Sequence, residues 1–287
     1  MLIDLHTHSA ASDGTQSPGD LVREAADVGV DVLGLTDHDT TAGWAEAERA
    51  ALESGIALVR GAELSTRTGA TSVHLLSYLH DPADVPLLAA LERSRTARVR
   101  RAEAIVANLA RDVDLTWADV AAQVAPGATV GRPHIADALV AAGAAPSRDA
   151  VFAGLLGEGS PYVVHYDVPT PQEMIGLVLA AGGVPVLAHP FAHLRGASLT
   201  AEQLIELAAC GLMGVEVDHR DHAQEDRIAL RGLARELDLV VTGSSDYHGT
   251  GKRNRLGENG TAPDQLAAVL ERGRLPLVDG RPAGRRG

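Results

Sequence analysis

The sequence predicts an α/β protein: a (β/α) barrel of seven or eight strands interrupted by an inserted helical subdomain. Three observations carry this. Short apolar strands alternate with amphipathic stretches of helix length, which is the pattern of parallel βαβ units. The strands end in polar clusters, and a (β/α) barrel assembles its active site at the C-terminal face of its strands. Between about residues 85 and 160 strand-like residues give out and helical stretches follow one another. The expected organisation is therefore barrel over 1–84, insertion over 85–160 and barrel again over 161–287.

In the opening residues, Ile3 and Leu5 alternate with Asp4 and His6, a period-two strand that leaves His6 and His8 on one face at its end. A small-residue loop with Asp13 follows, and Ser17 as N-cap with Pro18 at the first helical position opens a helix to Val28. Strand Val30 to Leu35 ends in Thr36-Asp37-His38-Asp39. Helix Gly43 to Ser54 precedes strand Ile56 to Val59, which runs into Glu63, and the apolar stretch from Ser72 to Leu79 carries His74 inside it. A lone histidine there fits a satisfied core residue more readily than a ligand.

The insertion reads as helices over Leu87 to Asp112, Trp117 to Val124 and His134 to Ala142. Its stretch from Glu92 to Arg101 holds five arginines in nine positions, either a solvated helix face or a basic wall for a polyphosphorylated substrate. Alternation then resumes. Helix Pro171 to Ala181 leads to strand Val184 to Ala188 and His189; helix Ala201 to Ala209 leads to strand Gly214 to Val217 and His219. Helix Gln224 to Leu237 leads to strand Val240 to Thr242, with Asp246 and His248 beyond it. A last helix, Ala262 to Gly273, precedes a polar, arginine-rich tail expected to fray.

Composition sets the bounds. With 287 residues, 45% of them hydrophobic and 22% charged, the chain can bury a large core as an ordinary globular protein. It has no apolar run that would span a bilayer and no secretory start, so a cytoplasmic protein without a membrane partner is expected. Cys210 is the only cysteine; it excludes an intrachain disulfide, leaves any metal to nitrogen and oxygen ligands, and reads as a structural thiol at the apolar end of a helix. A net charge of −13 argues against affinity for long nucleic acid, although bound divalent cations would reverse its sign locally. Lys252 is the only lysine.

The strand ends and the insertion together supply His6, His8, Asp13, His38, Glu63, His74, His134, Asp246 and His248, with His189 nearby. Imidazoles and carboxylates without thiolates suit zinc, manganese or iron, and the set is too large for one ion. Two or three divalent ions are expected, an arrangement that serves phosphoryl transfer.

These residues resemble the PHP family, named for polymerase and histidinol phosphatase. Its pattern of H-x-H, a D-H-D turn, a Glu followed by a His, and D-x-H is met by His6-Thr-His8, Asp37-His38-Asp39, Glu63 with His74, and Asp246-Tyr-His248. The resemblance implies a distorted (β/α)7 barrel with a trinuclear centre. It implies His6, His8, Glu63 and Asp246 on one metal, Glu63 bridging to a second held by His74 and His134, and Asp13, His38 and His248 on a third. Gly131-Arg-Pro-His134 and Ala188-His-Pro190 are similar to the bacterial members that act on nucleoside 3′,5′-bisphosphates and short RNA 5′ ends. The implied reaction is attack by metal-activated hydroxide on phosphorus, without a phosphoenzyme.

Several roles stay open at this point. Arg132 either grips a second phosphate or salt-bridges its loop. His189 either contacts the substrate phosphate, protonates the leaving oxygen, or hydrogen-bonds a ligand. Asp37 reads more readily as orienting a histidine than as acting on substrate. His193, His219 and His222 cannot be ranked, and His80 and His165 read as ordinary polar residues. The rival activities are histidinol-phosphate phosphatase, which the arginine-rich insertion fits less well, and an amidohydrolase-type deaminase, which lacks a mid-barrel lysine here. A non-catalytic metal module is the remaining alternative, and the apparently complete ligand set argues against it.

Overall fold

A computed structural model describes residues 1–69, 71–157, 159–192 and 198–281; His193 lies outside them. Seven strands follow one another in chain order across one sheet: β1 (Ile3–Thr7), β2 (Val32–Leu35), β3 (Ala57–Thr68), β4 (Thr71–Tyr78), β5 (Val184–Leu187), β6 (Gly214–Asp218) and β7 (Val240–Gly243). The sheet curls into a nearly closed barrel. At its seam the His8 amide donates to the Tyr247 carbonyl at 2.8 Å, and the buried Asp4 carboxylate accepts from the amides of Ser245 and Gly257 at 3.0 and 2.8 Å.

The ladders are parallel except at β4, which runs antiparallel to both β3 and β5. This departs from the uniform parallel alternation expected, and the reason is chain length. Only residues 69 and 70 separate β3 from β4, and a parallel crossover needs about a dozen residues. A further short strand, β8 (Val278–Asp279), pairs with β3 in the tail expected to be frayed.

The helices start where the caps dictate. Ser17 accepts the Asp20 amide ahead of α1 (Pro18–Asp27), followed by α2 (Trp44–Ser54), and Asp84 accepts the Leu87 amide ahead of α3 (Val85–Leu109). The insertion continues through α4 (Trp117–Ala121), α5 (Arg132–Ala141) and α6 (Arg148–Ala153); capping boxes open α7 (Pro171–Ala180) and α8 (Ala201–Ala209), before α9 (Gln224–Glu236) and α10 (Pro263–Arg272). Cys210 caps α8 and is exposed, so it does not take the buried place of a structural thiol.

Strand alternation sorts the core. Leu33, Leu35 and Leu58 pack against α1 and α2, while Val32, Ala57 and Val59 from the same strands turn the other way, into a cluster with Leu76, Tyr78, Val184, Val186 and Val240. Two residues further along the same face from Val59 and Gly61 comes Glu63, and two before Leu76 comes His74. The apolar barrel thus gives way to donor groups at one end. Between β4 and β5, the start of α3 packs with the barrel through Leu87, Ala90 and Leu91, while a separate apolar cluster includes Ile105, Leu109, Val120, Ile135, Leu139 and Val151.

His80 is buried rather than an ordinary surface polar group; its Nδ1 lies 2.8 Å from Ser77 Oγ, and its ring packs on Trp44. Burial pushes it down from 6.5 to about 4. The unfolded chain therefore takes up a proton that the folded one refuses, so this contribution to stability is complete above pH 6.5 and lost as pH falls toward 4, by about 3 kcal/mol in all. Urea unfolding of His80→Gln at pH 7 and pH 4.5 should show a shallower acid loss than the wild type; parallel curves would refute it.

Candidate metal centre

Three overlapping groups of donor atoms, each lying within 4.8 Å of one another, occupy the C-terminal end of the barrel: His6, His8, Glu63 and Asp246; His38, Glu63 and His74; and His8, Asp13, His38 and His248. Eight of the nine expected ligands are thereby brought together. Glu63 is the hub. Its Oε2 lies 3.3, 3.0 and 3.2 Å from His6 Nε2, His8 Nε2 and His38 Nδ1, and its Oε1 lies 2.7 and 3.1 Å from His74 Nδ1 and His189 Nε2.

Local backbone geometry places these side chains. Asp39, His189 and Asp246, all just past strand ends, have φ of 52, 29 and 52°, the left-handed region that non-glycine residues occupy at a cost. Gly14 closes the turn after Asp13, where a Cβ would stand 2.3 Å from the His8 carbonyl oxygen.

Hydrogen bonds on the far ring nitrogens set the tautomers. His6 Nδ1 donates to Glu216 Oε1 at 3.2 Å and His248 Nδ1 donates to the Asp246 carbonyl at 2.8 Å, leaving each Nε2 a lone pair for the cluster. Asp37 works similarly, one step removed. Its carboxylate accepts from Ser9 and Ser12, and Ser12 Oγ lies 3.4 Å from His8 Nδ1, so it orients His8 and the Asp13 loop rather than the adjacent His38.

His134 stands apart from the three groups among the described residues. Its Nδ1 accepts the Gly131 amide at 3.0 Å, so the neutral ring carries its proton on Nε2 and offers a donor where a ligand needs a lone pair. The position beside Glu63 and His74 expected of it is filled by His189. His222 is structural: its Nδ1 donates to the Val217 carbonyl at 2.8 Å, and its Nε2 accepts the Phe191 amide at 3.2 Å. His219 Nε2 lies 3.6 Å from Asp246 Oδ2.

Two further charged residues serve the site, Glu216, which the sequence reading did not single out, and Arg98, which it placed only within the arginine run. Glu216, fully buried on β6, accepts from His6, from the His189 amide at 2.9 Å and from Ser244 Oγ. The signal for it was a carboxylate inside an otherwise apolar strand. Arg98 is buried, with Nε donating to Asp39 Oδ2 at 2.8 Å and to Ser65 Oγ at 3.0 Å.

The donor set fits divalent cations. Asp13 Oδ1 and His38 Nδ1 are buried without a hydrogen-bond partner among the described residues, an arrangement that costs free energy unless something else binds there. Burial would push the Glu63 carboxyl up, but His38, His74 and His6 outweigh it and hold it well below the usual carboxylate range. Burial works against a charge on His6 too, yet Glu63 and Glu216 raise it well above its ordinary value. The carboxylate field that would protonate His6 is one that favours a cation at its place.

The PHP domain pattern matches residues 4–105. Over 260 residues the chain is 33% identical to a 3′,5′-nucleoside bisphosphate phosphatase of Chromobacterium violaceum, covering 88% of this chain and 89% of that protein. The chain belongs to the PHP family. A second PHP relative, a 5′-3′ exoribonuclease of Haemophilus influenzae, is 35% identical over 272 residues, 94% of this chain and 98% of that one. The solved structure of a Bifidobacterium adolescentis protein assigned as a metal-dependent phosphoesterase superposes with a TM-score of 0.91 at 43% identity, covering 94% of this chain and 96% of that one. This PHP protein is accordingly a metal-dependent phosphoesterase with the distorted (β/α)7 barrel of its family. Among the described residues no helix is long and apolar enough to cross a membrane.

Proposed function

We propose that the enzyme removes the 3′-phosphate of nucleoside 3′,5′-bisphosphates and, in the same cleft, processes short RNA from its 5′ end. The observation that carries this is a pair of arginines. Arg101 of α3 and Arg132 at the start of α5 line one crevice with Arg98, both half-buried, and among the described residues no carboxylate pairs with either. Burial and Arg132 push Arg101 down to about 10, which leaves it charged at neutral pH. Two such cations beside the Asp13 loop, in a chain of net charge −13, await an anion. A second phosphate on the substrate supplies it.

Two or three ions of manganese, iron or zinc would be held by His6, His8, Glu63 and Asp246, by Glu63, His74 and His189, and by Asp13, His38 and His248. When bound they supply Lewis acidity toward phosphoryl oxygens and lower the pKa of water toward neutrality. The chain's own part is orientation. Glu216 and Ser12 fix the rings of His6 and His8, Arg98 fixes Asp39 at the β2 turn, and Arg101 with Arg132 anchors the distal phosphate so that the scissile ester meets the cluster.

Both curated relatives act on nucleotide or RNA substrates by name, which supports this reading over histidinol phosphate. Phosphate release by manganese-loaded protein from adenosine 3′,5′-bisphosphate, AMP and histidinol phosphate tests it. The bisphosphate should turn over fastest, with AMP accumulating. Faster release from histidinol phosphate would overturn the nucleotide assignment and leave the metal centre standing.

A further inference from the structure

Of the 25 lysines and arginines, only residue 252 is lysine. Its Nζ donates to Asp246 Oδ2 at 2.9 Å, and the side chain is 32% exposed. His219 Nε2 faces the same oxygen at 3.6 Å. The other oxygen, Oδ1, lies 3.6 Å from His6 Nε2 and 3.5 Å from His8 Nε2. The two oxygens of one carboxylate are thus divided between an ammonium and the donor cluster.

The surrounding chain is built to hold that division. Arg148 Nη1 donates to the Gly251 carbonyl at 3.3 Å, and an exposed pair of Arg253 Nη2 with Asp149 Oδ2 at 2.7 Å adds a weaker tie, so α6 contacts the residues on either side of Lys252. Arg148 is itself forked onto Asp137 of α5. On the other side, Asn254 Nδ2 donates to the carbonyls of Ser245 and Asp246 at 2.6 and 3.3 Å, steadying the left-handed backbone at Asp246.

We propose that Lys252 is the positioning residue of Asp246: its ammonium takes Oδ2 and so presents Oδ1 alone to a cation shared with His6, His8 and Glu63. The inference rests on reading that cluster as a metal site. It also accounts for the residue type. An ammonium is a compact charge that engages one oxygen, whereas a guanidinium forks onto both and would draw Oδ1 away from the cluster. In a chain that uses arginine everywhere else, this position is the one where arginine would do harm. The ammonium also repels a nearby cation, so the proposal requires orientation to outweigh repulsion, which an affinity measurement decides.

The test uses the whole chain and manganese alone. Competition with a chelating dye should show Lys252→Met and Lys252→Arg binding manganese about 10- to 100-fold more weakly than the wild type, with one ion fewer retained after dialysis and an unchanged far-UV spectrum. Wild-type or tighter affinity in the Met variant overturns the proposal, and full recovery in the Arg variant does so too, since charge alone would then suffice. A second readout exploits the single lysine. Reductive methylation with 13C-formaldehyde labels Lys252 and the Met1 amine, which pairs with Asp31 at the other end of β1. Manganese should broaden the Lys252 signal beyond detection and that of Met1 far less. A sharp Lys252 signal at saturating manganese would mean that no ion lies beside Asp246, and the metal reading itself falls. Broadening together with normal affinity in the Met variant would sink the lysine alone.

Discussion

Glu63→Ala should lose bound metal and phosphoesterase activity together, with kcat/KM falling by roughly 10³-fold or more, about 4 kcal/mol of lost transition-state stabilisation. Glu63 sits at the centre of the donor cluster. Its two oxygens face five imidazoles at 2.7 to 3.3 Å, and it belongs to two of the three donor groups. Deleting it removes the one carboxylate that faces all five of these rings, so the two donor groups it joins lose their shared anion, although Asp246 still lies beside His6 and His8. Metal analysis after dialysis and phosphate release on the same preparation check this. Metal retained at wild-type stoichiometry with activity lost would make Glu63 a group that acts on substrate rather than a bridge. Full activity with metal lost would remove metal from the reaction altogether.

How much of this could be read from the chain alone varies with how local each cause is. His6 and His8 were legible because the period of a strand puts alternate residues on one face, and Asp246 and His248 because a strand ends just before them. The direction of β4 was not read, although the two-residue link at 69–70 already forbade a parallel crossover. His134 and His189 exchanged places for a reason no spacing reveals. The Gly131 amide claims His134 Nδ1, while the turn at His189, with φ of 29°, carries that ring to Glu63. Of the arginine run, Arg93 and Arg100 are exposed, whereas Arg98 and Arg101, three residues apart on one helix face, turn inward. The solvated-face account thus describes Arg93 and Arg100, and Arg98 and Arg101 depart from it. Glu216 and Lys252 depend on partners 210 and 6 residues away, and only the closed barrel shows the first.

Arg132→Ala should lower kcat/KM on adenosine 3′,5′-bisphosphate by roughly 30- to 150-fold, the equivalent of about 2–3 kcal/mol for a charge-assisted contact to phosphate, and should spare a simple aryl phosphate. Arg98 cannot substitute, because its guanidinium is committed to Asp39 and Ser65. Arg101 donates Nε to the Val164 carbonyl at 2.9 Å and lies over the Tyr166 ring, which leaves it one arm of a two-cation grip. Arg132→Lys should fall between, since an ammonium keeps the charge and loses the planar fork. Stability separates this role from a structural one. Arg132 is half-buried beside Arg98 and Arg101, and its contact is the face of Phe152 at 5.8 Å rather than a carboxylate. Removing it relieves repulsion between like charges, so the substrate-free Ala variant should melt no lower than the wild type. A residue whose loss costs bisphosphate turnover while leaving the fold as stable or more so serves the ligand. Equal losses on the bisphosphate and the aryl phosphate, accompanied by a lower melting temperature, would instead make Arg132 a support for the loop that leads from Gly131 to His134.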